Sequence, residues 1–130
     1  MKIFQELSTV ERALDVRGQR HTVLAGNLAN ADTPGFAPLD VDFEAAMAAG
    51  ELGAGADAGD PSAAERAAGM AAAPSTAEDL AGRPGLDGNS VDVDKTMITL
   101  TKNGMQYGAA ARAASKKLGI LRYVASDGVG

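Results

Sequence analysis

The sequence predicts a mainly α-helical chain with a long helix at each end. Apolar residues recur at alternating intervals of four and three over residues 3–28 and again over 93–121, a heptad period typical of helices packed along their whole length. Residues 50–88 lack this pattern and are rich in alanine and glycine. We therefore expect four segments: an N-terminal helix in 1–30, a turn with an extended segment and a short helix in 31–50, a flexible low-complexity insert in 51–88, and a C-terminal helix in 89–130.

The first helix is predicted to span residues 2–29, which at ~1.5 Å per residue makes a rod of about 42 Å. Its apolar face, the N-terminal seam, consists of Ile3, Leu7, Val10, Leu14, Arg17, His21, Leu24 and Leu28. Arg17 and His21 are polar and lie one turn apart. Either their stems cover apolar surface while their polar ends reach water, or they meet polar groups on a neighbouring subunit. A single histidine with no second ligand at suitable spacing is a poor metal site, so we expect no bound metal.

The first helix is expected to end near Ala29, at a Pro-Gly turn. Asn30 is a good helix terminator, because its short polar side chain tolerates the left-handed conformation that a C-cap often needs. The proline that follows fixes φ, and the glycine after it can adopt a positive φ, which is the pair that a type II turn requires. We predict that this turn consists of Thr33, Pro34, Gly35 and Phe36.

An extended segment is predicted after the turn. Residues 39–43 alternate apolar side chains with two aspartates, which is the period of a strand with one buried face. Pro38 restricts this strand to a sheet edge or to an unpaired extended segment. Asp42 is expected to cap a short helix over residues 44–49 that Gly50 closes.

The alanine-rich insert offers little that could pack. Gly53–Gly59 has the composition of a phosphate-binding loop, but no buried strand precedes it and its glycine spacing is wrong. Ser62 with Glu65, and Ser75 with Glu78, have capping-box spacing. Because no large apolar residue is available to bury, we expect any helices there to be short and the insert to be exposed.

The C-terminal helix is predicted to begin at Val93, where Ser90, Asp92 and Asp94 offer capping oxygens and negative charge. Its apolar face, the C-terminal seam, consists of Val93, Met97, Leu100, Gly104, Tyr107, Ala111, Ala114, Leu118 and Leu121. The two helices contain five interior glycines: Gly18, Gly26, Gly104, Gly108 and Gly119. Each costs roughly 1 kcal/mol relative to alanine, and five such costs approach the stability of a small domain. We infer that the helices order fully only in an assembly.

Composition narrows the function classes. The chain has 130 residues, a net charge of −5, no cysteine and only 4% aromatic residues. No base, nucleophile and orienting group recur together, so we expect neither an enzyme nor a cofactor. No apolar run approaches the ~18 residues of a membrane span, and charged residues near the N-terminus argue against a cleavable signal.

Charge is divided unevenly along the chain. Residues 31–92 carry twelve acidic and two basic side chains, whereas residues 93–130 carry two acidic and six basic ones. One alternative function is therefore nucleic-acid binding by the basic C-terminal helix, through Arg112, Lys116, Lys117 and Arg122. The acidic net charge and the lack of interleaved aromatic residues argue against it.

The stretch from Asn27 to Phe36, with Arg17 ten residues upstream, resembles the N-terminal signature of bacterial flagellar axial proteins, the rod and hook family. The motif residues are Asn27, Leu28, Ala29, Asn30, Thr33, Pro34, Gly35 and Phe36. Residues 88–107 resemble the proximal rod members of that family in particular. The resemblance covers residues 7–43 and 86–127, in the right order.

This resemblance implies a structural subunit whose terminal helices pair antiparallel as a coiled-coil-like core. It implies a place in the proximal rod of the flagellar basal body, joining the membrane ring to the rod and transmitting torque by helical packing. The implied partners are other copies of the chain, other rod proteins, the rod-base adaptor and membrane ring, and the flagellar type III export apparatus, without nucleic acid or a direct membrane span. The implied location is the periplasmic rod, reached from the cytoplasm without a cleavable signal. The assembly seam is expected to comprise Leu7, Val10, Leu14, Arg17, Leu24, Leu28, Val93, Met97, Leu100, Tyr107, Leu118 and Leu121.

Overall fold

A computed structural model of the chain describes residues 2–55 and 73–126. In chain order the elements are α1 (Lys2–Ala29), β1 (Leu39–Asp40), α2 (Phe43–Gly55), β2 (Ser75–Thr76), a 3₁₀ turn (Glu78–Leu80) and α3 (Val93–Ala125). The two long helices, α1 and α3, pack against each other, and β1 pairs with β2 in a small antiparallel sheet. The predicted fold class, a mainly helical chain built on two long terminal helices, is confirmed.

The helices α1 and α3 run antiparallel. Lys117 Nζ donates to Glu6 Oε2 over 2.9 Å near the start of α1. Further along the pair, Asn103 Nδ2 donates to the carbonyl oxygen of Arg17 over 2.9 Å. Positions further along α1 therefore contact positions nearer the start of α3, as in an antiparallel pair. The antiparallel pairing implied by the family resemblance is confirmed, as is the end of α1 at Ala29.

A second face of α1 packs against β1 and α2. Val16, Val41 and Ala46 form a buried apolar cluster, and Val23 and Phe43 pack against its edge. The burial of Val41 confirms that the extended segment has its predicted apolar face. Val16 does not belong to the predicted N-terminal seam, because it faces the side of α1 that α2 covers.

The helix α2 is longer than predicted. Asp42 caps it as expected, since its Oδ1 accepts the amide of Ala45 over 2.9 Å. The helix continues through Gly50 to Gly55, so the prediction that Gly50 closes it is wrong. Gly50 is buried, and a Cβ at this position would overlap the guanidinium group of Arg12. This glycine therefore gives space to a side chain from α1 and does not end a helix.

The sheet holds the two connecting segments together. Leu39 lies opposite Thr76, and Asp40 lies opposite Ser75. Pro38 is buried immediately before β1, where its carbonyl accepts the amide of Ala77 over 2.9 Å and its missing N–H leaves no donor without a partner.

Most of residues 73–88 are exposed, as expected of the insert, but this segment also contains regular structure that the sequence did not predict. Ser75 is a strand residue, so the predicted capping box from Ser75 to Glu78 is wrong, and the 3₁₀ turn has no side-chain cap. Leu80 is buried, and the bridge between Ala81 and Val91 ties this segment to the start of α3. The other predicted capping box, at residues 62–65, lies outside the described residues.

The start of α3 agrees with its sequence. Asp92 Oδ1 accepts the amide of Lys95 over 3.0 Å, so one of the three predicted capping oxygens is confirmed. Asp94 lies in the first turn and Arg122 in the last, where each favours the helix dipole. None of the helices within the described residues has the length and apolar character that crossing a bilayer requires.

We expect the isolated chain to be only partly helical when dilute. The helices α1 and α3 contain 28 and 33 residues. The buried apolar residues of the described chain are Val16, Leu24, Val41, Ala46 and Leu80. Because so small a core does little to offset the glycines, far-UV circular dichroism should report much less helix than these two elements hold. A fully helical monomer with a cooperative thermal transition would contradict this expectation.

Candidate assembly interface

The Pro-Gly turn has the predicted geometry. Gly35 has a φ of +72°, and the amide of Phe36 donates to the carbonyl of Thr33 over 3.2 Å. The amide of Gly35 donates to the carbonyl of Asp87 over 3.0 Å, which fastens the turn to the segment before α3. The prediction of a turn that needs a positive φ at Gly35 is confirmed.

Asn89 joins this turn to the end of α1. It is buried, and its Nδ2 donates to the carbonyl oxygens of Asn30 over 2.9 Å and Thr33 over 2.7 Å. Its Oδ1 accepts the amide of Val91 over 2.9 Å. One side chain therefore satisfies two carbonyls near the end of α1 and directs the chain toward α3. Residues near Asn89 in the sequence do not predict this role, because the two carbonyls lie more than fifty residues away.

Asn27 fixes the path of β1 against α1. Its side chain is 1% exposed, and its Nδ2 and Oδ1 bond the carbonyl and the amide of Leu39 over 2.7 and 2.9 Å. The amide group therefore pairs with β1 as a strand residue would. A signal was present in the sequence: Asn27 follows Leu24 by one helical turn, and an amide on a buried face needs partners for both of its ends.

The remaining motif residues divide into a helix end and an exposed tip. Asn30 Nδ2 donates to the carbonyl of Gly26 over 2.8 Å, and Asn30 Oδ1 accepts from the hydroxyl of Thr33 over 3.1 Å. These bonds close α1. Among the other motif positions, Leu28 and Phe36 are half-buried, whereas Ala29, Thr33, Pro34 and Gly35 are exposed.

Arg17 is held by its own chain. Its Nη1 donates to Gln106 Oε1 of α3 over 2.7 Å, and its guanidinium carbon lies 3.9 Å from the ring centroid of Phe43. Burial lowers the pKa of Arg17, and the nearby charge of Arg20 lowers it further. The polar end of Arg17 is therefore neither free in water nor in need of a partner on a neighbouring subunit, so the structure supports neither of its two predicted roles. His21 is exposed.

A second arginine ties α1 to β1. Arg20 Nε and Nη2 donate to the two carboxylate oxygens of Asp40 over 2.7 and 2.6 Å. The hydrogen bond that Arg20 donates to Asp40 raises the pKa of Arg20, against an opposing effect of burial. Asp40 is therefore half-buried, and the prediction that both aspartates of the extended segment point away from the packed face holds only for Asp42.

The two predicted seams differ in their exposure. In α1, Leu24 is buried, and Leu7, Val10, Leu14 and Leu28 are half-buried. In α3, Leu100 and Leu121 are half-buried, whereas Val93, Met97, Tyr107 and Leu118 are exposed. The reason is a rotation of α3, whose buried side chains are the polar Thr96 and Asn103. The apolar seam of α3 consequently lies at the margin of the helix pair, and its four exposed members are each about half accessible.

The basic residues of α3 do not form one surface. Arg112 and Lys116 lie one turn apart, but Lys117 is rotated by about 100° from Lys116 on an α-helix and pairs with Glu6. Arg122 lies on a different face again. Nothing in this arrangement favours nucleic-acid binding. Within the described residues, no group of three His, Cys, Asp or Glu side chains could hold a metal ion.

These features define a class of protein. The described chain is an antiparallel helix pair, fastened at one end by hydrogen bonds around a Pro-Gly turn, with an apolar seam that its own fold leaves exposed. Exposed apolar surface of this kind is typical of proteins that pack against other subunits. The class is therefore a structural, assembly-forming subunit.

Comparison with known proteins identifies the family. The chain is 34% identical over 124 residues to the flagellar basal body rod protein FlgB of Escherichia coli, covering 90% of each chain. It is 36% identical over 105 residues to that of Salmonella typhimurium, covering 75% of each, and 32% identical over 126 residues to that of Aeromonas hydrophila, covering 85% of each. No family model matches the sequence. The chain belongs to the FlgB family of flagellar basal body rod proteins, and the resemblance inferred from its motifs is confirmed.

Gly35→Val should impair assembly through the backbone alone. No heavy atom lies within 4 Å of a Cβ built at Gly35, so the cost comes from its φ of +72°. A β-branched residue should cost at least ~1–2 kcal/mol there and misdirect the segment that follows. In a strain lacking the protein, we expect the variant to be exported normally but to be depleted from purified basal bodies, with reduced swimming.

The matched control for Gly35→Val is Gly26→Ala. A Cβ at Gly26 also meets no heavy atom, but this residue lies inside α1 and has no positive φ. A strain that expresses Gly26→Ala should therefore swim like the wild type. Wild-type swimming by Gly35→Val would show that the direction of the turn does not matter.

Asn89→Asp should be at least as harmful as Asn89→Ala. Aspartate keeps an oxygen for the amide of Val91 but places a carboxylate beside the carbonyls of Asn30 and Thr33. Loss of these bonds should cost about 1–3 kcal/mol. The measurement is the amount of each variant in purified basal bodies, with Asp32→Ala, at an exposed position, as control. If Asn89→Asp retained wild-type levels, the donor role of Asn89 would be wrong.

Proposed function

We propose that this chain is a structural subunit of the proximal rod of the bacterial flagellum. In this proposal it joins the membrane ring to the rod and transmits torque by packing helically with other rod proteins. The observation that carries the proposal is the exposed apolar seam of α3, in a chain whose relatives of similar length are basal body rod proteins. No enzymatic activity and no cofactor are part of the proposed role.

The exposed members of the seam supply the packing energy. Val93, Met97, Tyr107 and Leu118 are each 44–53% exposed in the single chain. Burial of apolar area contributes about 25 cal/mol per Å², so covering these four side chains would offset much of the cost of the helix glycines. Gly104, Ala111 and Ala114 lie between them and allow a neighbouring helix to approach closely.

Residues 1–30 and 89–130 together form the assembling unit in this proposal. Within it, the buried and half-buried seam members of α1 hold the helix pair together. The exposed seam members of α3 meet the next subunit. When the two surfaces of a contact differ, the assembly keeps one free surface at each end, to which a further copy can bind. Such a contact allows helical growth.

The partners and route of the chain follow from the family resemblance. We propose that it contacts other copies, other rod proteins, the rod-base adaptor and the membrane ring. We propose that it leaves the cytoplasm through the flagellar type III export apparatus without a cleavable signal, and that it resides in the periplasmic rod.

A pair of methionine variants tests the seam. Met97 lies on the seam and is 53% exposed, whereas Met105 lies off the seam and is 72% exposed. Full burial of a methionine contributes about 1.5–3 kcal/mol, and assembly can cover only the exposed half of Met97, so Met97→Ser should reduce incorporation into basal bodies roughly four- to tenfold. Met105→Ser should leave incorporation unchanged. The proposal fails if the two variants behave alike, or if the wild-type chain is absent from basal bodies.

A further inference from the structure

A second surface of α3 is not used by the helix pair or the seam. Arg112, Lys116, Ile120 and Tyr123 follow one another at intervals of four, four and three, which places them on one helix face, here called the outer stripe. All four are exposed, Tyr123 by 61%. The stripe lies on the side of α3 away from buried Asn103. Within the described residues, no hydrogen bond or ion pair engages the side chain of Arg112 or Lys116.

The end of this stripe projects beyond α1. Asn103 lies beside Arg17, and Lys117 lies beside Glu6, so Lys2 falls opposite a point about one turn further along α3. The last residues of α3 therefore extend past the start of α1, where Tyr123 and Val124 are exposed. The helix pair has a projecting tip that is both apolar and basic.

A concave surface of complementary charge lies elsewhere on the chain. An open groove of about 790 Å³ is formed between α1, the region of β1 and β2, the beginning of α2, and α3. Arg20 and Asp40 line it but neutralise each other. Its remaining charged side chains are four carboxylates, Asp42, Glu44, Glu78 and Asp79, and two cations, Arg17 and Lys102. The four carboxylates are exposed, and none has an ion pair within the described residues.

The stripe cannot occupy the groove of its own chain. Lys102 of α3 lines the groove, and Arg112 is ten residues further along the same helix, which is about 15 Å at ~1.5 Å per residue. Because α3 is continuous, the rest of the stripe lies still further away. Only a second molecule can bring the two surfaces together.

We propose that the outer stripe of one copy docks in the charged groove of a second copy. Arg112 and Lys116 meet the carboxylates of the groove, and Ile120 and Tyr123 pack their apolar parts against its lining, where Phe43 is half-buried. The two surfaces differ, so a row of bound copies keeps a free stripe at one end and a free groove at the other, where further copies can bind. This inference rests on the proposed function, because it names a second contact, besides that of the α3 seam, through which copies of a rod subunit meet.

Charge-swap variants test the contact. Glu78→Lys with Asp79→Lys reverses the groove, and Arg112→Glu with Lys116→Glu reverses the stripe. Each pair alone should reduce self-association of the purified full chain, measured by sedimentation velocity, at least about tenfold. The four changes together should restore it, because the opposite charges face each other again. The control, Glu11→Lys with Asp15→Lys, makes an equal charge change on an exposed part of α1 and should behave like the wild type.

The outcomes separate this inference from the proposed function. It is overturned if the wild-type chain does not self-associate, if either reversed pair associates normally, if the combined variant stays as weak as the single pairs, or if the α1 control is equally weak. Loss of pelleting with phosphatidylglycerol vesicles by the stripe variant, with unchanged self-association, would assign the stripe to a lipid surface and also overturn it. The proposed function itself fails on different results: if Met97→Ser and Met105→Ser are incorporated alike, or if the wild-type chain is absent from purified basal bodies.

Discussion

The structure depends on buried amide groups whose two ends are both paired. Asn27 holds β1 against α1, and Asn89 holds the Pro-Gly turn against the segment that leads into α3. A chain with five buried apolar residues in its described part has little hydrophobic area with which to fix these elements. Hydrogen bonds with buried partners therefore set the geometry, because leaving either end of such an amide unpaired would cost more than the bond contributes.

The helix pair is organised by another buried amide, of which only the donor end is paired. Asn103 is 1% exposed, donates to the carbonyl of Arg17, and has no partner for its Oδ1 within the described residues. Arg17 in turn reaches Gln106. A buried asparagine between paired helices lowers stability but favours one alignment over others. Because α3 turns this polar face toward α1, its apolar seam faces outward. The arrangement that lowers the stability of the single chain therefore also leaves apolar surface for packing in an assembly.

Local sequence signals predicted what local physics controls. The end of α1, the positive φ of Gly35 and the caps at Asp42 and Asp92 all follow from residues within one turn of the position concerned. Where a distant partner decides, the same reasoning failed. Gly50 has the local appearance of a helix end, but it lies beneath Arg12.

The two seams show the same division between local and distant control. A heptad pattern identifies an apolar face but does not say whether that face meets the same chain or another one. The seam of α1 meets its own fold and that of α3 remains exposed, a difference that rests on the burial of Thr96 and Asn103. Likewise, Ser75 forms a strand because β1 is available to pair with it. The residues near Ser75 in the sequence do not predict this pairing.

The contact between the two glycine turns has a consequence for variation in the sequence. Gly35 and Gly88 both have a positive φ, the Cβ position of Gly88 lies 3.6 Å from the Cα of Gly35, and the bond between the turns joins the Gly35 amide to the Asp87 carbonyl. Main-chain atoms make this junction, so its shape is independent of most neighbouring side chains. Exposed positions such as Asp32 and Leu86 can change chemical character while the junction stays intact. Mutational tolerance is thus high at the exposed positions around the junction and low at Gly35, Gly88 and the buried Asn89.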